Sequence, residues 1–257
     1  MNSLVFDCDG VLADTERYGH LPAFNATFRE VGLPLQWSEQ DYGRKLQIAG
    51  GKERISSELT PEFVRANGLP ADPDALAAEV AKWHKRKTQI YTEMAGTGML
   101  PPRPGITRLI RAAQDAGWLM AVASTSAEPS VRAILGNAAG PERAARFDLV
   151  LAGDCVPNKK PAPDIYLLAV EQLGVDSAEV LVIEDSRNGL EAAHAAGLRC
   201  LITVNGYTEQ EDFREAILVV SSLGDPDGET TTIMANRSAA RPGAFVALAD
   251  LEACLAR

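Results

Sequence analysis

Apolar positions along this chain come in two textures. Residues 3–7, Leu119–Ala123, Asp148–Leu151, Val180–Ile183 and Cys200–Val204 are short apolar runs, several rich in Val and Ile, and each predicts a buried strand. Between them, helical patterns fall at about 105–116, 128–138, 164–173 and 187–196. Gly117, Gly174 and Gly197 stand where three of these helices should stop. Strand–helix alternation at this rhythm predicts an α/β protein, a doubly wound parallel sheet with helices on both faces. Residues 15–96 differ. They hold no convincing strand, but four amphipathic stretches, Leu21–Val31, Ser38–Ile48, Lys52–Ala66 and Asp74–Met94. This pattern predicts an all-helical domain inserted after the first strand. The chain then divides into a discontinuous core, 1–14 with 97–257, and a helical cap, 15–96, of a kind that opens and closes. Residues 221–257 are least legible: Ser221–Gly228 is turn-rich, Ala235–Gly243 is loop-like, and Phe245–Leu255 reads as a terminal helix.

Composition adds limits. The chain has 257 residues, 46% hydrophobic and 23% charged, ordinary for a soluble globular protein. Its net charge is −10, which argues against a nucleic-acid partner, because phosphate-backbone binding needs clustered positive charge. Residues 15–96 carry equal numbers of acids and bases, so the whole excess falls on the predicted core. Cys8, Cys155, Cys200 and Cys254 are dispersed and suggest neither zinc nor a disulfide framework. No apolar run is long enough to span a bilayer, and no signal peptide is expected ahead of the first strand. The expectation is a cytoplasmic monomer without a membrane partner, or a plastid-stroma protein if a transit peptide has been removed.

The chemistry gathers at predicted strand ends. Asp7-Cys8-Asp9-Gly10-Val11 follows the first strand, where open α/β sheets bind ligands. Two carboxylates two residues apart can divide nucleophilic attack and proton transfer between them; a lone pair of this kind is also an ordinary polar turn. Glu184-Asp185-Ser186 follows another strand. Adjacent acids suit a hard cation such as Mg²⁺ rather than zinc, although Asp185 or Ser186 alone would serve as a helix cap. Four acids at neighbouring strand ends would repel one another without a cation. Ser124-Thr125-Ser126 suits phosphate oxygens, although alone it reads better as a helix cap. Lys160, of Lys159-Lys160-Pro161, suits a phosphate or a solvated surface.

The order acid pair, hydroxyl, lysine, acid pair resembles the haloacid dehalogenase superfamily, and the likeness covers essentially residues 3–220. The core it implies is Rossmann-like. Asp14-Thr15-Glu16, Gly19-His20, Phe24-Asn25-Ala26-Thr27-Phe28, Tyr42-Gly43, Gly50-Gly51-Lys52-Glu53-Arg54, Arg103-Pro104-Gly105, Ala152-Gly153-Asp154 and Gly206-Tyr207-Thr208 look like the CbbY type. That group includes xylulose-1,5-bisphosphate phosphatases, which remove a Rubisco-inhibiting misfire product in carbohydrate metabolism linked to the Calvin cycle. The resemblance implies Asp7 as nucleophile, forming an aspartyl-phosphate, and Asp9 as acid then base, its pKa raised by crowding. It implies Mg²⁺ held by the Asp7 carboxylate, the Asp9 backbone carbonyl and Asp185, with Glu184 ligating or orienting. Ser124, with Thr125 and Ser126, and Lys160 would hold the transferring phosphoryl group. Gly50, Gly51, Lys52, Glu53 and Arg54 would take the second phosphate of a small phosphorylated sugar. On physics alone, an ordinary glycine turn opening a charged helix is the better account of that segment, and the resemblance reverses the preference. Glu16 and His20 would contact sugar hydroxyls; His84 and His194 have no implied role.

Two departures matter. Ala127 stands where many relatives have Asn. Between Asp9 and His20 the chain is one residue longer than in β-phosphoglucomutases, which argues against mutase activity. The alternatives are such a phosphomutase, a phosphatase for another sugar phosphate, and a non-catalytic phospho-accepting domain. The last lacks both a partner acid like Asp9 and an inserted cap.

Overall fold

The computed structural model describes residues 1–48 and 50–256. These fall into two compact units, Met1–Asp14 with Gly98–Arg257, and Thr15–Thr97.

The first unit is built on one sheet. Its strands are β1 (Ser3–Phe6), β2 (Leu119–Ala123), β3 (Leu149–Leu151), β4 (Val180–Glu184), β5 (Arg199–Thr203), β6 (Leu218–Val220) and β7 (Ile233–Asn236), in the order β3-β2-β1-β4-β5-β6-β7. The strands from β3 to β6 pair in parallel. Strand β7 runs antiparallel to β6, with an irregularity at Val219/Val220. Leu4, Val5 and Phe6 of β1 and Leu181, Val182 and Ile183 of β4 have no exposed surface. A sheet covered on both faces is why these strands read as unbroken apolar runs rather than as alternation. Strand order reverses between β1 and β4: the chain builds outward through β2 and β3 on one side and through β4 and β5 on the other. That reversal is where doubly wound sheets bind ligands, outside the carboxyl ends of the strands.

Helices Ile106–Asp115, Glu128–Ala139, Asp164–Leu173, Arg187–Ala195 and Leu248–Leu255 belong to this unit. The left-handed Gly174 (φ 66°) ends the third of them, as its position predicts. Two strands went unread. β6 is only three residues long, and β7 runs into the stretch from Ala235 expected to be loop-like. β7 is an edge strand with Ile233 and Met234 exposed, so it lacks the buried pattern that marks the other strands.

The second unit has no strand among its described residues. Its helices are Leu21–Glu30, Glu39–Lys45, Gly51–Ser56, Pro61–Ala66 and Pro73–Gly96, preceded by a π-helical turn, Glu16–His20. The single helix expected over Lys52–Ala66 is two. Pro61 cannot continue a helix but fits the first position of one, and the Thr60 hydroxyl caps the new start by accepting from the Phe63 amide. Phe24, Phe28, Trp37 and Tyr42 form the unit's aromatic core, with Phe28–Trp37 centroids 4.8 Å apart and edge-on. Asn25 fastens the Trp37 segment, donating to the Trp37 carbonyl and accepting from its amide at 2.9 and 2.8 Å. No helix among the described residues is long and apolar enough to cross a membrane.

Candidate active site

Parallel register brings the carboxyl ends of β2, β1 and β4 side by side, and the predicted chemistry meets there. Asp7 leaves β1 with its amide still bonded to the Ile183 carbonyl of β4, at 2.9 Å. Its Oδ1 accepts from Lys160 Nζ at 2.6 Å. The same ammonium donates to Glu184 Oε1 at 2.6 Å and to the Ala123 carbonyl at 2.9 Å. An ammonium has three protons, so this set uses all of them.

Glu184 is the last residue of β4 and is buried. Its Oε1 also accepts from Tyr166 OH at 2.6 Å, and its Oε2 accepts from the Asp185 amide at 3.1 Å. A Cβ on Gly189 would fall within 1.9–2.1 Å of this carboxylate, so only glycine leaves room for it. Asp185 Oδ2 accepts from Asn205 Nδ2 at 2.7 Å. Gly10, at φ 77°, lies so near that its missing Cβ would sit 2.0 Å from Asp185 Oδ2. Asp7, Glu184 and Asp185 each present a carboxylate oxygen, all within 4.8 Å of one another. An all-carboxylate donor set of this span fits a hard divalent cation. The Asp9 carboxylate stands apart from that trio and accepts from Ser126 Oγ. Ser124 is buried, with its amide on the Leu151 carbonyl of β3 and its Oγ accepting from the Ser126 amide at 3.1 Å. Thr125, between them, is half-buried.

Burial is the largest influence on Asp7 and pushes its carboxyl up to about 8. Glu184 and Asp9 push the same way, and Lys160 opposes them. Burial alone would lower the Lys160 ammonium, but Asp7 and Glu184 outweigh it and raise it, so Lys160 is charged. Burial first, then the charges of Glu184 and Asp7, hold the Tyr166 phenol well above its usual range, which keeps it a donor.

Arg103 belongs to the Arg-Pro-Gly run noted in the sequence, where it had no role. It is half-buried and donates to four backbone carbonyls, those of Gly10, Thr203, Val204 and Ser221. One guanidinium thus ties together the loops after β1, β5 and β6. Sequence reading also missed Tyr166, Gly189 and Asn205, because each acts on another side chain rather than carrying a motif of its own.

The remaining predicted residues lie in the second unit. Tyr42 OH donates to Glu16 Oε2 at 2.5 Å and accepts from Arg54 Nη1 at 3.2 Å, so one buried tyrosine joins two of them. Arg54 Nε donates to the Ile48 carbonyl. His20 Nδ1 lies 2.7 Å from Lys87 Nζ, and its ring centroid lies 3.9 Å from that of Tyr91, the two rings tilted by 30°. Gly50 has φ 91°, and the Glu53 carboxylate occupies the place a Cβ there would need. A Cβ on Gly51 would meet His84 Nε2 at 2.5 Å. His84 therefore packs the turn, and burial lowers its pKa. Lys52 is exposed.

A doubly wound sheet with acids, a hydroxyl and a lysine at the carboxyl ends of its central strands defines an enzyme of phosphoryl chemistry. The chain belongs to the haloacid dehalogenase-like hydrolases, whose family model matches residues 1–197. Within that family it is a phosphatase related to the CbbY proteins. It is 44% identical to a CBBY-like protein of Arabidopsis thaliana over 228 residues, 89% of this chain and 71% of that one. It is 43% identical to a plasmid-borne CbbY of Cupriavidus necator, covering 88% of this chain and 87% of the relative. The crystal structure of a variant CbbY from Rhodobacter sphaeroides in complex with xylulose-(1,5)bisphosphate superposes with a TM-score of 0.72. That chain is 39% identical, and the match covers 86% of this chain and 95% of that one.

Proposed function

We propose that this protein hydrolyses xylulose-1,5-bisphosphate to xylulose 5-phosphate and phosphate through an aspartyl-phosphate on Asp7. The observation that carries this reading is the convergence of Asp7, Asp9, Ser124, Lys160, Glu184 and Asp185 on one sheet edge. The substrate assignment is supported by the bisphosphate held by the R. sphaeroides relative and by the cap residues Glu16, His20, Gly50, Gly51, Lys52, Glu53 and Arg54.

Asp7 attacks phosphorus, and the bond from phosphorus to the sugar oxygen breaks. Asp9 gives its proton to that leaving oxygen. Asp9 then takes a proton from water as the water attacks phosphorus and the bond to Asp7 breaks. Ser126 holds Asp9 by the Oγ–carboxylate hydrogen bond. The Ser124 hydroxyl binds the transferring phosphoryl group, and the Lys160 ammonium, fixed on Asp7, Glu184 and the Ala123 carbonyl, holds it by offsetting the charge of its oxygens. The carboxylates of Asp7 and Asp185 and the Asp9 carbonyl would hold Mg²⁺, with Glu184 ligating or orienting. When bound, the ion supplies positive charge beside the phosphoryl oxygens.

Asp7→Asn keeps the shape and removes the nucleophile. Phosphate release should fall more than about a thousandfold, measured by single-turnover assay with xylulose-1,5-bisphosphate. An Asp7→Asn protein that retains turnover contradicts the mechanism.

A further inference from the structure

We propose that Tyr166 is a positioning residue of the phosphatase reaction, holding the Lys160 ammonium in place through Glu184. The proposal rests on the role given above to Lys160, and not on the identity of the sugar.

Tyr166 sits in the first turn of helix Asp164–Leu173 and has no exposed surface. Its hydroxyl donates to Glu184 Oε1, the same oxygen that accepts from Lys160. Its ring face lies 4.8 Å from the Lys160 ammonium. The side chain therefore acts on the lysine twice, through the shared carboxylate oxygen and by the attraction of a cation to a π face.

Both arms are needed for the geometry. With Glu184 Oε2 held by the Asp185 amide and the carboxylate packed on Gly189, Glu184 has no room to turn. The Tyr166 hydroxyl takes up part of the negative charge on Oε1. This limits how far Glu184 draws the ammonium away from Asp7. Three acceptors and one ring fix Lys160 between the two acids before any phosphoryl group arrives. Without the hydroxyl, Lys160 settles more deeply on Glu184, and its charge is less well placed for the transferring group.

The test uses the full chain with Mg²⁺ and two substrates, xylulose-1,5-bisphosphate and p-nitrophenyl phosphate. Tyr166→Phe keeps the ring and removes only the hydroxyl. Its kcat should fall about tenfold on both substrates, the cost of losing a hydrogen bond to a charged group, with KM changed less than about twofold. Tyr166→Leu, which also removes the ring, should fall further. In a Lys160→Met background, single-turnover rates should show Tyr166→Phe costing less than about twofold, because the group it positions is gone. Wild-type kcat in Tyr166→Phe overturns the proposal. So does an equal loss with and without Lys160, which would mean the hydroxyl serves only the fold. A wild-type enzyme that cleaves p-nitrophenyl phosphate but ignores the bisphosphate removes the substrate assignment and leaves this test intact. A wild type that cleaves neither overturns both.

Discussion

Asp7 shows how a single buried group is set by its neighbours. With its carboxyl pushed to about 8 by burial, Glu184 and Asp9, the folded chain holds that proton across a range where an unfolded chain, with a carboxyl near 3.9, has released it. This contribution to stability is fully present below about pH 4 and is lost as pH rises through about 8. Wild-type melting temperature should therefore fall between pH 5 and pH 8 relative to Asp7→Asn in metal-free buffer, and Mg²⁺ at pH 8 should restore it. Parallel pH curves for the two proteins would show that Asp7 is not raised. Residues that carry a motif were readable from sequence through their order along the chain, since each taken alone is also an ordinary turn, cap or surface lysine. Tyr166 and Asn205 were not. A tyrosine on a helix and an asparagine in a loop gain meaning only from the carboxylate that folding sets beside them.

Elements fix the site by where they stop. Strands β1, β2 and β4 were readable because burial on both faces makes their interiors unbroken apolar runs, with polar residues only at an end, Ser3 in β1 and Glu184 in β4. β6 and β7 were not, one being too short and the other half exposed. Pro61 divided a stretch whose apolar spacing alone suggested one helix. Two predictions belong at this scale. Gly189, in the first turn of helix Arg187–Ala195, lies directly against Glu184, so Gly189→Ala must displace that carboxylate. Its kcat should fall at least about tenfold even though alanine favours helix, and steady-state kinetics check this. Arg103 joins three strand-end loops. Arg103→Met strands four carbonyls and should lower unfolding free energy by about 3 kcal/mol or more, read by denaturant titration. Arg103→Lys should restore only part of it, since an ammonium has three donors for four acceptors.

Over the whole molecule, charge is distributed unevenly. The net −10 falls outside residues 15–96, and Asp7, Asp9, Asp14, Glu184 and Asp185 are part of it. An acidic chain still takes a doubly phosphorylated sugar if a cation and a few placed bases outweigh the average locally. In this reading the bases are Lys160 in the first unit and Lys52 and Arg54 in the second. Lys52→Ala should raise KM for xylulose-1,5-bisphosphate at least about fivefold while leaving p-nitrophenyl phosphate unchanged, because only the bisphosphate has a second phosphate to lose. The division into strand-bearing and all-helical stretches was visible in the sequence because period-3.6 patterning fills one and short apolar runs the other. Substrate identity was visible only through likeness, since glycine turns and charged helix starts are common for other reasons. The most direct test measures phosphate release from xylulose-1,5-bisphosphate beside a panel of sugar monophosphates, at equal concentration with Mg²⁺. A kcat/KM for the bisphosphate at least about a hundredfold above every monophosphate, with xylulose 5-phosphate as product, is the expected result. Equal or better cleavage of a monophosphate, or an isomeric sugar phosphate in place of free phosphate, would contradict it.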